Sequence, residues 1–142
     1  MKKLCIFALS LFCSIALANQ NRVIHYSNES IEGQENFFLI GTQKGSYTVK
    51  SWQFDMNKST WDGNSEPRLT IREAVSKAYS YFNKTTAELG VKDVQFKPAF
   101  SREGTTIWYY LVTLTTLPYQ FDSDEFEIAV LLSGELLEAK GK

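Results

Sequence analysis

The chain has 142 residues, with 15 Lys+Arg against 16 Asp+Glu and a formal net charge of −1. That balance excludes a broadly basic nucleic-acid binder and an acidic disordered tail, and the length suits one domain of ordinary size. Apolar residues make up 44% and aromatics 14%, with only three prolines, so a packed core is expected rather than a low-complexity segment.

Met1-Lys2-Lys3 is a short basic start, and residues 4–17 are apolar apart from Ser10 and Ser14. Ala16-Leu17-Ala18 then places small residues at the −3 and −1 positions of a cleavage site. This is the three-part pattern of a secretory signal, with an apolar run too short for a comfortable membrane span. Residues 1–18 are therefore expected to be a cleaved signal peptide, and the protein periplasmic or secreted in a bacterial envelope. Residues 19–34 are expected to form an N-terminal arm with a short strand at 22–26, and residues 35–142 a single domain. Cys5 and Cys13 fall inside the signal, so the processed chain would have neither disulfide nor thiol chemistry.

Residues 36–42 (NFFLIGT) form an apolar run of strand length, and Gln43-Lys44-Gly45-Ser46 reads as a turn with Gly45 at positive φ. Residues 47–55 (YTVKSWQFD) predict a second strand, completing a hairpin. Its bulky positions change parity between Val49 and Trp52, which a bulge near Lys50 and Ser51 would explain. Residues 56–68 are a turn-rich loop that contains Trp61.

The clearest helix follows. Thr70-Ile71-Arg72-Glu73 is a capping box. Ile71, Ala74, Val75, Ala78 and Phe82 recur at spacings of three and four, which predicts one buried stripe. The helix is expected to continue to Leu89, with Gly90 as its C-terminal cap. Residues 94–100 alternate as an edge strand, because Pro98 cannot donate to a ladder. Residues 106–117 (TIWYYLVTLTTL) are apolar on both parities and predict the central strand, covered at least in part on both faces. Residues 125–132 form a further strand, and Ser133-Gly134 turns the chain into residues 135–138.

The expected fold class is α+β: an antiparallel β-sheet with one long amphipathic helix packed on one face, in the order β-β-α-β-β-β. One helix cannot cover both faces of the 106–117 strand. The front hairpin is expected to extend the same sheet while the Trp61 loop folds over the second face. The alternative is a face left for a partner.

Three segments together resemble the PepSY-like domains of exported bacterial proteins. They are Leu69-Thr70-Ile71-Arg72-Glu73-Ala74-Val75 opening the helix, Trp108-Tyr109-Tyr110-Leu111-Val112 in a strand, and residues 128–138 (IAVLLSGELLE) closing the chain. The resemblance covers residues 69–138. The front hairpin lies outside that pattern, and Leu131-Leu132-Ser133 stands where an acidic residue usually precedes the closing glycine. PepSY-like domains are non-catalytic as a class, and some occur in propeptides that restrain secreted metallopeptidases. The resemblance therefore implies a binding module for a protein or peptide, and a peptidase-restraining role is one form of it. A structural or assembly component of the cell envelope is the alternative.

No enzyme chemistry is legible. His25 is the only histidine, and it lies in the polar arm without a triad partner in sight. One histidine and no retained cysteine cannot supply a zinc site, so neither metal nor cofactor is expected. Asp55, Asn57, Ser59 and Glu66 have EF-like calcium spacing, as do Asp62, Asn64, Glu66 and Glu73, but Thr60 and Pro67 stand where the loop glycine belongs. Asp122, Asp124, Glu125 and Glu127 contain the acids that glycoside chemistry would need, without any pattern that sets their geometry. The candidates for a partner-binding surface are the aromatic residues Trp61, Trp108, Tyr110 and Tyr119. Expected partners are another envelope or exported protein or a peptide, with no nucleic acid and no membrane span after signal cleavage.

Overall fold

A strand apolar on both parities must be covered twice, and the computed structural model shows how. It describes residues 23–26, 36–43, 45–82 and 87–139. The expected signal peptide and most of the N-terminal arm lie outside them. The strands are β1 (Val23–Tyr26), β2 (Phe37–Thr42), β3 (Gly45–Lys50), β4 (Leu89–Phe100), β5 (Thr106–Thr116), β6 (Glu125–Leu131) and β7 (Leu136–Ala139). The helices are α1 (Met56–Ser59) and α2 (Ile71–Tyr81), and a 3-10 turn spans Ser51–Gln53.

The class is α+β, dominated by sheet. Five strands are ordered β1-β7-β6-β5-β4, and β2 and β3 form a separate two-stranded sheet. The pairs β4–β5, β5–β6 and β6–β7 are antiparallel, while β1 runs parallel to β7. The main sheet is therefore mixed where a purely antiparallel one was expected. β4 lies at the edge, as Pro98 requires. β5 lies inside the sheet, but the middle position belongs to β6.

The two parities of β5 face two different layers. Ile107, Tyr109 and Leu111 pack with Phe38, Ile40 and Val49 of the hairpin. Tyr110, Val112 and Leu114 pack with Ala74 and Ala78 of α2. The hairpin thus does not extend the main sheet; it is itself the cover of the second face. Its tip is pinned there by polar bonds. The Tyr109 hydroxyl accepts from Gly41 N–H at 3.1 Å and donates to Gly41 O at 2.9 Å, and Lys97 Nζ donates to the same carbonyl at 3.2 Å. At the other end, Phe38 bridges to Ser101 just beyond β4.

The local signals hold where they are self-contained. Gly45 sits at φ 138 beside the hairpin turn, a conformation that side chains other than glycine rarely adopt. The parity change after Val49 comes from the 3-10 turn rather than from a bulge. The strand ends at Lys50, and the turn sends Trp52 into solvent while Phe54 returns to the core.

Helix α2 opens on the predicted box. Glu73 N–H donates to Thr70 Oγ1 at 3.3 Å, and Thr70 N–H donates to the Glu73 carboxylate at 2.8 Å. The Thr70 N–H and the Thr70 hydroxyl both donate to the Glu73 carboxylate and hold it below the usual range. Thr70→Ala is expected to lower stability by about 1 kcal/mol, because one half of the box is lost. Chemical denaturation of the purified variant measures it.

The helix differs from expectation in two ways. It ends at Tyr81 with Phe82 as its cap, and Leu89 and Gly90 already belong to β4. Its buried positions are Ala74 and Ala78, with Val75 and Phe82 half-buried, while Ile71 is exposed. Two alanines let the helix backbone lie close to the sheet, and larger residues of β5 and β6 fill the interface.

Candidate functional site

The four aromatic candidates separate into a packed group and an exposed one. Trp61 lies on the helix side of the sheet, held by its own loop. Its indole N–H donates to Ser65 O at 2.7 Å. The turn that brings Ser65 back is built by Asp62, whose carboxylate accepts from the N–H groups of Asn64 and Ser65, each at 2.9 Å, and stays below its ordinary range for that reason. The Trp61 ring then meets Phe96 edge-on at 5.3 Å and Trp108 at 5.1 Å, and Phe96 stacks on Trp108 at 4.9 Å. Tyr110 lies deeper, beside Phe96, with 3% of its surface exposed and its hydroxyl donating to Leu69 O at 3.0 Å. Burial pushes that phenol's pKa up. Tyr110 is thus a core residue that anchors the start of α2, and Trp61 and Trp108 are half-buried and pack against the same cluster.

Tyr119 is different. It stands on the loop between β5 and β6, 63% exposed, with Phe121 wholly in solvent and Leu117 also exposed. The loop carries its own hydrogen bonds. Leu117 N–H donates to Glu88 O at 2.9 Å, Thr116 N–H to Asp124 O at 3.1 Å, and Gln120 N–H to Ser123 Oγ at 2.7 Å. Leu117 also lies against Gly90, where an added Cβ would come within 3.0 Å of its side chain. Val91, on the adjoining end of β4, is exposed as well. The result is a held loop that presents apolar side chains beside the exposed acids Asp122 and Asp124. Alternation could not reveal this, because residues 117–124 have no period. The signal in the sequence was the two aromatics Tyr119 and Phe121 in a connection whose other residues after Pro118 are polar.

Five of the acids considered for metal or glycoside chemistry have structural employment. Asp55 caps α1, accepting from Lys58 N–H at 3.2 Å, and pairs with the Lys58 ammonium at 2.9 Å. Glu73 serves the capping box and Asp62 the Trp61 loop. Glu125 pairs with Lys92, and Glu127 accepts from Gln43 N–H at 3.1 Å, which ties the tip of the hairpin to β6. No group of three or more metal-ligating side chains converges among the described residues. No helix among them is long and apolar enough to cross a membrane.

Compared with family models, with curated proteins and with solved structures, the chain matches none of them.

Proposed function

We propose that this protein is an exported, non-catalytic binding domain, PepSY-like in residues 69–138, that holds another exported or envelope protein through the β5–β6 loop. The observation that carries it is the exposure of Leu117, Tyr119 and Phe121 on a loop fixed by hydrogen bonds at both ends. Burial of two aromatic rings is worth several kcal/mol to an interface, and in the free domain Phe121 is wholly in solvent and Tyr119 largely so. Asp122 and Asp124 beside them favour a partner with an apolar pocket and a basic rim. The signal-like start supports export, and the order of the three motif segments supports the PepSY-like assignment.

The test is the double variant Tyr119→Ser/Phe121→Ser. Its melting temperature should stay within about 2 °C of the parent, since surface changes fall within about 0.5 kcal/mol. Site-specific crosslinking from position 120 in intact cells should give one defined adduct with the parent and none with the variant. An adduct between two copies of this chain would favour an assembly role instead. An unchanged adduct in the double variant would refute the loop as the partner surface.

A further inference from the structure

Among the described residues, strand β6 is paired along its whole length on one side and over only two residues on the other. Its ladder with β5 runs from Tyr109–Leu131 to Thr115–Glu125, whereas its ladder with β7 covers only Ala129 and Val130. Beyond these no β6–β7 pairing continues among the described residues, and a cleft of about 210 Å³ lies against residues 125–129 of β6 and Leu137 and Glu138 of β7. Two hydrogen bonds set the direction of the backbone there. Leu131 N–H donates to Glu135 O at 2.9 Å, toward β7, and Asp124 O accepts from Thr116 N–H at 3.1 Å, toward β5. Peptide groups alternate sides along an antiparallel strand. The N–H and C=O of Glu125 and Glu127 therefore point into the cleft, with no ladder partner among the described residues. Such an edge is a template for a further strand.

The walls indicate what that strand should carry. Tyr47 of the hairpin layer closes one side, and Tyr81 and Phe82 at the end of α2 close the other. Glu125, Glu127 and Glu138 line the space, Glu125 with Lys92 as its ion-pair partner, and no basic residue is among the described residues that line it. Gln43 N–H fixes the Glu127 carboxylate, and the Tyr81 phenol bonds Glu138, while burial and that carboxylate push the phenol's pKa well up. We infer that the cleft takes an extended peptide that pairs with β6 as an added strand and places a lysine or arginine side chain among the rings and carboxylates. The backbone pairing supplies the geometry, and the aromatic, acidic walls select the cation. The site stands on the gap in the β6–β7 ladder and is independent of the exposed rings of the β5–β6 loop.

Amide hydrogen exchange read by NMR tests it, with a blocked Val-Arg-Val-Arg-Val peptide as probe and Val-Glu-Val-Glu-Val as its counterpart. In the free protein the Glu125 and Glu127 amides should exchange as open-edge amides do. The arginine peptide should slow both by at least about tenfold, and the glutamate peptide should not. Glu127→Pro removes an N–H that faces the cleft and leaves the β5 ladder whole, so it should abolish the response. Glu127→Gln keeps the N–H and should weaken binding of the arginine peptide by about tenfold, the equivalent of about 1.4 kcal/mol. Should the proline variant fail to fold, the parent and Glu127→Gln still decide the matter. Three results would each overturn the assignment: both amides already protected in the free protein, equal protection by the two peptides, or protection by neither.

Discussion

Phe38→Ala is expected to remove about 3–5 kcal/mol of stability, the cost of truncating a large buried ring that leaves a cavity. Phe38 is fully buried and meets Phe54 edge-on at 5.6 Å. It sits at the centre of the layer that covers Ile107, Tyr109 and Leu111. A two-stranded hairpin is at best marginal by itself, so β2 and β3 depend on this burial to stay in place. The loss is a large share of the 5–15 kcal/mol typical of a domain. Leu39→Ala is the internal control. Leu39 is the next residue in the same strand, 52% exposed on the outer face, and its truncation should fall within about 0.5 kcal/mol. Urea denaturation of the two variants measures the difference. Equal midpoints would mean that the hairpin does not cover the sheet.

Trp61→Ala is the second large effect, at about 2–4 kcal/mol, with a fall in Tm on the order of 10 °C. The indole is half-buried, so the cost lies below that of a full core tryptophan. Its loss removes two edge-on ring contacts, with Phe96 and Trp108, and the hydrogen bond to Ser65 O that closes the loop. Thermal unfolding separates a packing role from a partner-binding one. A packed Trp61 lowers Tm in the isolated protein, whereas a Trp61 reserved for a partner leaves it unchanged. The same experiment on Tyr119→Ala should show no shift, because that ring touches solvent over most of its surface.

Several features were legible in the residues because their causes are local. The Thr70–Glu73 box needs only four neighbouring residues and the bonds between them, and α2 begins there. Gly45 at the hairpin turn and Pro98 on an edge strand follow from what those two backbones allow and forbid. The double-sided apolar pattern of residues 106–117 called for at least partial cover on both faces of β5, by the chain itself or by a partner, and the chain packs a layer on each.

What covers each face could not be read from the pattern, because burial against a hairpin and burial against a helix leave the same apolar residues on a strand. Tertiary packing decided that β2 and β3 form their own sheet over one face. It also decided that Trp61 joins the other, and that β1 completes the sheet in parallel with β7. The end of α2 was missed for a related reason. Leu89 continues a helical spacing as readily as it starts a strand, and its pairing with Thr116, far along the chain, selects the strand. The candidate surfaces divide in the same way. Tyr119 and Tyr110 are the same residue type in one stretch of chain, yet one points into solvent and the other is sealed by Leu69 O and Phe96. Residue type sets how much a ring gains from burial. Only the layers packed around each ring decide which of them is buried and which is left exposed.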